Sequence, residues 1–286
     1  LAMLKATSVD LPDDLTISGR RAVIYGMVRD GLPGLYTAKY NVQSLSRFFQ
    51  DVRFIILEDG SIDGTREFLD QWALEDDRLL IVNGDHDNVR SAQKKCSLPS
   101  NPLRGPLRIT KYVVLRNQLH AVACATADDM GATHMVLADL DQESTVDELG
   151  FWKALNTMDV DKHVVAASAH GRTSSHVMLP FTRRMYDTYA YADDYTPTME
   201  SNNTAKSTHI WNMRIDARKN VEVRSNFGGL CIYRYSTAFS SNMYAVESLN
   251  GDDQSDRCLC EHVGFHARLC RDGTDKHIIS FDTFFS

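Results

Sequence analysis

The sequence has little that would mark a membrane-spanning, nucleic-acid-binding or secreted protein. No apolar run approaches the ~20 residues that a membrane helix needs, and no basic start followed by an apolar stretch indicates a secretory signal. The 286 residues carry a formal net charge of −7, whereas phosphate backbones demand clustered Lys and Arg. We therefore expect no nucleic-acid partner, no membrane span in this chain and a cytoplasmic location. The presence of an anchor upstream of Leu1 is left open.

Cysteine is also sparse, with six in the chain. Cys258 and Cys260 are separated by one residue and Cys270 follows ten residues later, whereas paired zinc ligands usually have two residues between them. We interpret the cysteines as mostly reduced core residues, as in a cytosolic protein.

Short apolar runs that alternate with helical patterns are the main structural signal. This alternation predicts an α/β fold with a mostly parallel sheet and crossover helices. We expect a helix from Tyr112 to about Met130, and a long irregular segment over residues 83–110. The predicted strands are residues 22–28, 52–57, 79–82, 134–138, 164–168 and 229–233.

The length and the order of these elements indicate one domain. Residues 1–19 are polar and predict a loose lead-in, and residues 20–286 form the domain. Within it we expect a sheet core over residues 20–170 and a second half over residues 171–286.

The most informative stretch is HMVLADLDQE, which begins at His134. A buried strand is followed by Asp139 and Asp141, which point the same way because side chains alternate along a strand, with Cα atoms about 6.5 Å apart. Both carboxylates can reach one divalent cation whose remaining positions take phosphate oxygens. A solvated acidic turn is the alternative interpretation.

A second strand also ends in acidic residues, in FIILEDGSIDGT, which begins at Phe54. An acidic side chain at such a strand end can accept hydrogen bonds from a base or a ribose. Asp63 or Thr65 is expected to cap the helix that follows, whereas Glu58 and Asp59 are not explained by capping.

A third segment, CLCEHVGFHARL, begins at Cys258. If it is helical, Glu261 and His262 lie one turn from His266 and share a face with it. A hydroxyl that acts as a nucleophile needs a base to take its proton, and the Glu261 carboxylate fits that role; Asp252 and Asp253 are the other candidates. His266 is a candidate metal ligand or phosphate contact. The alternative is a helix with one solvated Glu and one packed His.

Together these segments resemble known enzymes. FIILEDGSIDGT resembles the Asp-Asp-Gly-Ser-x-Asp-Gly-Thr segment of family 2 glycosyltransferases and the matching segment of fungal capsule-associated mannosyltransferases. LADLD stands where such enzymes carry their Asp-x-Asp motif, VVLRN resembles the intervening Arg-Asn helix start, and FGGLCIYR resembles the Gly-Gly strand on the acceptor side. Glu58 departs from the pattern, since family 2 enzymes often have Asp there. No tryptophan-containing motif of processive synthases is found.

The resemblance implies a GT-A fold and a role for each matching residue. Asp59 would contact the base, most often uracil, and Asp139 and Asp141 would flank the metal. Aromatic residues around Trp211 are a separate candidate for stacking on sugars. The expected nucleotide-sugar site is Val28, Arg29, Asp30, Glu58, Asp59, Arg116, Asn117, Asp139 and Leu140; the metal ligands are Asp139, Asp141 and His266; the acceptor side is Trp211, Gly228 and Gly229.

The predicted function is a metal-dependent, inverting transfer of a sugar from a nucleoside-diphosphate sugar to a glycan or glycoconjugate hydroxyl. The donor is expected to be UDP-linked, and the cofactor Mn²⁺ or Mg²⁺. A sugar-1-phosphate nucleotidyltransferase is one alternative, although its Gly-rich loop with Arg and Lys would replace MVRDGLPG after the first strand. A non-catalytic glycan-binding protein on the same fold is another.

Overall fold

The structure is a computed structural model, and it describes most of the chain with gaps. The described residues are 19–95, 106–141, 145–174, 183–185, 190–192, 220–246, 260–270 and 273–285.

Within these ranges nine strands form one sheet. Eight of them lie in the order β3-β2-β1-β4-β8-β5-β9-β7, and β6 pairs with β5 outside this order. The strands are β1 Arg21–Val28, β2 Asp51–Glu58, β3 Leu79–Asn83, β4 His134–Ala138, β5 Val164–Ser174, β6 Arg183–Met185, β7 Val221–Val223, β8 Leu230–Arg234 and β9 Lys276–Phe285.

The strand pairing of the sheet changes from parallel to mixed at β8. The neighbours β3, β2, β1 and β4 are all parallel, so their carboxyl ends meet at one edge. Strand β8 is antiparallel to both β4 and β5, whereas β5 and β9 are parallel. The expected parallel sheet is therefore found in the half that carries the predicted nucleotide-sugar residues, and the other half is mixed.

Helices cover both faces of the sheet. They are α1 Leu32–Ser46, α2 Thr65–Glu75, α3 His86–Lys95, α4 Pro106–Met130, α5 Glu148–Val160, α6 Thr237–Ser240 and α7 Glu261–Leu269. In the described part of the chain, no helix is both long and apolar enough to cross a bilayer.

The core consists of two main clusters, one on each face. Ala22 and Ile24 of β1 pack in the cluster that includes α1, α2 and α5, whereas Val23 and Tyr25 pack in the cluster that includes α4 and α7. Successive side chains of a strand point to opposite faces. A strand covered on both faces is therefore apolar along its whole length, which explains the uninterrupted apolar runs in the sequence.

The prediction of an irregular segment over residues 83–110 is wrong where the structure describes it. Residues 86–95 form α3, and α4 begins at Pro106 instead of Tyr112. Helix α3 has one buried residue, Val89, so it shows almost no apolar periodicity. Its start is capped by Asp85, whose Oδ1 accepts from the Asn88 N–H at 2.9 Å.

Candidate active site

The predicted acidic residues lie at the edge where the parallel strands end. Val28 pairs with Glu58, and Tyr25 with Leu137, so the loops after β1, β2 and β4 are neighbours. The Asp59 N–H donates to the Val28 carbonyl at 3.0 Å and continues the ladder into the loops. The sheet topology therefore brings together residues that are about 110 positions apart in the sequence.

Asp30 connects the loop after β1 to the loop after β2 by hydrogen bonds. Its φ of 49° is positive, a conformation for which Asp is among the more tolerant residues. Its N–H donates to Ser61 Oγ at 2.9 Å, and its Oδ1 accepts from the Ile62 N–H at 2.8 Å. The neighbouring Arg29 has a half-exposed side chain. The side chains of Arg29 and Asp30 are both exposed, and Asp30 in addition shapes the loop.

Glu58 supports the second loop. Its Oε1 accepts from the Ser61 N–H at 2.5 Å, and its backbone carbonyl accepts from the Gly84 N–H at 2.9 Å. The side chain is buried. These contacts give Glu58 a role in forming the turn beside Asp59.

Asp59 has a different environment. It is 6% exposed, and its Oδ2 forms an ion pair with Lys111 Nζ at 2.5 Å. Its Oδ1 is buried without a hydrogen-bond partner, with His86 Nδ1 3.6 Å away. Buried carboxylate oxygens are normally hydrogen-bonded, so Asp59 Oδ1 has the capacity to accept a further hydrogen bond.

Lys111 and His86 were not found from the sequence. His86 begins the helix that was interpreted as irregular, and Lys111 lies in the first turns of α4, before the segment that was compared with the Arg-Asn motif. The sequence shows only that Lys111 and His86 can carry a charge opposite to that of Asp59. Without the fold, this does not identify either of them as a partner of Asp59.

Arg116 and Glu261 form a buried ion pair across α4 and α7. The Arg116 Nε donates to Glu261 Oε1 at 2.9 Å. Burial opposes the Arg116 charge, but the electrostatic interactions with Glu261, Tyr244 and Asp139 outweigh it and raise the pKa of Arg116. The guanidinium carbon also lies 5.7 Å from the centre of the Phe227 ring. A permanent positive charge therefore lies within electrostatic range of Asp139.

Asn117, next to this pair, holds the segment after α6. Its Nδ2 donates to the Tyr244 carbonyl at 2.9 Å, and its Oδ1 accepts from the Tyr244 N–H at 2.8 Å. Both ends of the amide are thus engaged, and the expected contact with a sugar or a diphosphate would require this pair to open.

Asp139 and Asp141 follow β4 on either side of a buried residue. Leu140 packs in the core, so its side chain faces away from any ligand and only its backbone can contribute. Asp139 is partly buried and Asp141 exposed, and the Asp139 N–H donates to the Gly229 carbonyl at 2.9 Å. Two carboxylates at a ligand-binding edge supply the hard oxygen donors that Mn²⁺ and Mg²⁺ prefer.

Gly228 and Gly229 are placed beside these carboxylates. Gly228 has a φ of 59°, and a Cβ there would lie 2.0 Å from the Ala169 carbonyl oxygen. Glycine is therefore required at Gly228 by close packing between β5 and β8, whatever the ligand. Trp211, the third residue expected on the acceptor side, lies outside the described residues.

His266 lies in the interior and away from this edge. Its Nδ1 is 2.8 Å from Ser225 Oγ, and its Nε2 is 2.8 Å from the Tyr233 hydroxyl. Tyr233 pairs with Met135, four residues before Asp139, which corresponds to about 13 Å along a strand. A cation shared with Asp139 and Asp141 would have to displace one of these hydrogen bonds, so His266 as a ligand of that cation stays an untested prediction.

Comparisons with known proteins give structural similarity alone. No family model matches the chain, and no curated protein is significantly similar in sequence. A structure of GalNAc-T7 with UDP, GalNAc and Mn²⁺ matches 93% of this chain and 44% of its own at 10% identity, with a TM-score of 0.50. The Staphylococcus aureus protein TarS matches 93% and 59% of the two chains at 13% identity and 0.43.

A Pyrobaculum calidifontis mannosyltransferase with GDP-Man and Mn²⁺ matches 57% of this chain and 39% of its own, at 17% identity and a TM-score of 0.33. The chain thus spans less than two thirds of the length of these three proteins. Of these three TM-scores, the value of 0.50 for GalNAc-T7 is the one high enough to indicate a shared fold.

Proposed function

We propose that this chain, whose fold is that of the GT-A glycosyltransferases, transfers a sugar from a nucleoside diphosphate to a hydroxyl of a glycan acceptor. The observation that carries the proposal is the position of Asp59, Asp139 and Asp141 at the carboxyl edge of the parallel strands β2 and β4, which flank β1, where open α/β sheets bind ligands. Residues 20–170 would bind the donor, and residues 171–286 would form the acceptor side.

The diphosphate is proposed to lie between Asp139 and Arg116. Asp139 and Asp141 would hold Mn²⁺ or Mg²⁺, which when bound acts as a Lewis acid on the departing diphosphate. Arg116 brings a second positive charge close to Asp139, and guanidinium groups suit phosphate oxygens. The Mn²⁺ and UDP in the GalNAc-T7 structure support this assignment by similarity of fold.

The environment of Asp59 favours a uracil base. Uracil presents an N–H donor between two carbonyl acceptors, and Asp59 Oδ1, which is buried without a hydrogen-bond partner, would accept from that N–H. Lys111 Nζ lies 2.5 Å from Asp59 Oδ2 and His86 Nδ1 lies 3.6 Å from Oδ1, so both groups are close enough to act as donors for the carbonyls. Guanine presents two adjacent donors, for which this arrangement offers a single open carboxylate oxygen. A UDP-sugar is therefore the proposed donor.

Glu261 is the proposed base for the acceptor hydroxyl. Its Oε1 is held by Arg116, and its Oε2 contacts the Cys260 thiol at 3.7 Å, so proton removal would use Oε2. An attacking hydroxyl on the face opposite the diphosphate gives inversion at the anomeric carbon. Asp252 and Asp253, the other candidates, lie outside the described residues.

The proposal is tested by donor hydrolysis. UDP-sugars, each with and without Mn²⁺, are incubated with the protein, and release of UDP is measured. We expect Mn²⁺-dependent release that is lost in Asp141→Asn and retained in the control Asp70→Asn, which alters an exposed carboxylate of α2. Release of diphosphate from UTP and a sugar 1-phosphate would instead indicate a nucleotidyltransferase. Nucleotide-independent glycan binding, without release from any donor, would indicate a binding protein.

A further inference from the structure

A group of three possible metal ligands lies in the interior, apart from the carboxylate edge. Cys231 of β8, His266 of α7 and His277 of β9 are all buried, and one ligand atom from each lies within 4.8 Å of the others. The ring centres of His266 and His277 are 4.3 Å apart. Two strands of the mixed half of the sheet and the helix α7 therefore place two nitrogen atoms and one sulfur atom close together.

Hydrogen bonds within the protein satisfy this cluster only in part. His277 Nδ1 is buried without a partner, and its Nε2 lies 3.0 Å from Ser168 Oγ and 4.0 Å from Cys231 Sγ. The Cys231 thiol reaches the Ile232 carbonyl only at 3.8 Å. Leaving polar groups poorly paired in the interior costs stability, so the arrangement calls for a further partner.

The hydrogen bonds around His266 define which of its nitrogens can bind a metal. The Ser225 hydroxyl donates to the Ala190 carbonyl at 2.7 Å, so its oxygen accepts from the His266 Nδ1–H at 2.8 Å. This leaves Nε2 as the nitrogen with a lone pair, which accepts from the Tyr233 hydroxyl at 2.8 Å. A ligand histidine whose other nitrogen is held by a hydrogen bond is the usual arrangement at protein metal sites.

We propose that Cys231, His266 and His277 bind one zinc ion, with the Tyr233 hydroxyl at the fourth position. The Tyr233 oxygen lies 2.8 Å from His266 Nε2 and would exchange that hydrogen bond for the metal. Zinc takes sulfur at about 2.3 Å and nitrogen at about 2.0–2.1 Å in tetrahedral sites, so the ligands would move closer by ~1 Å. On binding, the Cys231 thiol loses its proton to solvent and the thiolate bonds to zinc.

The chemistry of the cluster distinguishes it from the site at Asp139 and Asp141. Imidazole and thiolate ligands select zinc, whereas carboxylates select Mn²⁺ or Mg²⁺. With four protein ligands the site has no open position, which is typical of structural zinc. It would fasten α7, which carries Glu261, to the sheet.

The metal itself provides the first test. The metal-free protein is titrated with Co²⁺, whose bond to a thiolate gives a charge-transfer absorption that carboxylate ligands do not give. We expect this absorption to saturate at one Co²⁺ per chain and to be abolished by Zn²⁺. Zinc at 100 times its dissociation constant should raise the melting temperature by roughly 5 °C or more. Absence of the absorption in the unaltered protein would overturn the proposal.

Variants locate the site. Cys231→Ser and His277→Gln should each lose the cobalt absorption while circular dichroism shows that the fold is kept. The matched control is Cys124→Ser, because Cys124 is also a buried thiol beside a histidine, 3.5 Å from His120 Nε2. This control and Asp141→Asn should keep the absorption. Its loss in Cys124→Ser, or its persistence in both Cys231→Ser and His277→Gln, would refute the assignment.

Discussion

At the scale of single residues, the open oxygen of Asp59 is the feature with the most specific consequence. Asp59→Asn replaces an acceptor by an amide that can donate to the ring nitrogen of cytosine but opposes the N–H of uracil. Hydrogen bonds to charged groups contribute about 1.5–3 kcal/mol. We therefore expect the ratio of UDP to CDP affinity to fall about tenfold or more, measured by calorimetry with Mn²⁺ present.

The control for this change is Asp70→Asn, which should leave both affinities unchanged. If GDP binds the unaltered protein more tightly than UDP does, the assignment of Lys111, Asp59 and His86 to uracil is wrong, although a nucleotide-sugar site would stand. If no nucleoside diphosphate binds, the proposed function itself fails.

Glu261→Gln tests the base. The amide oxygen can still accept from Arg116 Nε, but it cannot take a proton from the acceptor. General-base catalysis contributes about 10²–10⁴-fold, so the transfer rate should fall by that factor, and the acidic limb of the pH–rate profile should disappear. UDP affinity should stay within about twofold, because the proposed base acts on the acceptor.

Other results for the Glu261→Gln variant would assign a different role to Glu261. If the variant loses UDP affinity and keeps its pH profile, Glu261 acts by positioning Arg116 and the base lies elsewhere. A transfer rate close to that of the unaltered protein would also remove Glu261 as the base. The configuration of the product, from its anomeric coupling in NMR, would then separate a retaining enzyme from one with another base.

At the scale of elements, the first turn of α1 packs directly on the backbone of the predicted metal loop. A Cβ on Gly34 would lie 2.7 Å from Asp141 Cα and 2.6 Å from its carbonyl carbon. Gly34→Ala must therefore displace the loop that carries Asp141. We expect the stimulation of UDP binding by Mn²⁺ to fall at least about tenfold, a loss comparable to that of one charged ligand contact.

The control for Gly34→Ala is Tyr40→Ala, which changes an exposed residue of the same helix. It should keep the full effect of Mn²⁺. Equal Mn²⁺ stimulation in Gly34→Ala and in the unaltered protein would show that Asp141 is not a ligand or that the loop adapts without cost. Melting temperatures of both variants separate loss of binding from loss of fold.

Elements that are buried on both faces were predictable from the sequence, and polar elements were not. Strands β1, β2 and β4 lie within one residue of their predicted bounds because core burial enforces continuous apolar runs. Strand β3 lies equally close to its predicted bounds, although only Leu79 in it is buried. Helix α3 was missed because one buried residue gives no periodicity. In the candidate site, the acidic residues could be predicted because each ends an apolar strand. Lys111 and His86 could not, since their contacts with Asp59 depend on how α3 and α4 pack.

At the scale of the whole molecule, buried histidines link stability to pH. His134 is 2% exposed. Burial lowers its pKa to about 4, aided by Arg234 and Arg20 and opposed by Asp159. Burial also lowers the pKa values of four further histidines in the described part of the chain, which are His120, His262, His266 and His277.

The sign of the effect follows from proton uptake. Unfolded histidines titrate near pH 6.5, whereas the folded protein keeps these rings neutral to lower pH. Below pH 6.5 the unfolded state therefore binds more protons, so stability is fully present above that pH and falls as the pH decreases toward the folded values. Each such histidine contributes up to about 1.4 kcal/mol per pH unit in that window.

We expect the free energy of unfolding in urea, measured with EDTA to remove bound metal, to fall steeply from pH 6.5 to 4.5. His134→Gln removes one of the groups that bind a proton on unfolding and leaves Cys231, His266 and His277 unchanged. The slope of the free energy of unfolding against pH should therefore be smaller by about one proton. His163→Gln is the control for the loss of an exposed histidine, and an equal change of slope in both variants would show that burial is not the cause. A pH-independent free energy of unfolding would mean that these histidines become protonated in the native state, and that the interior admits water where the structure shows close packing.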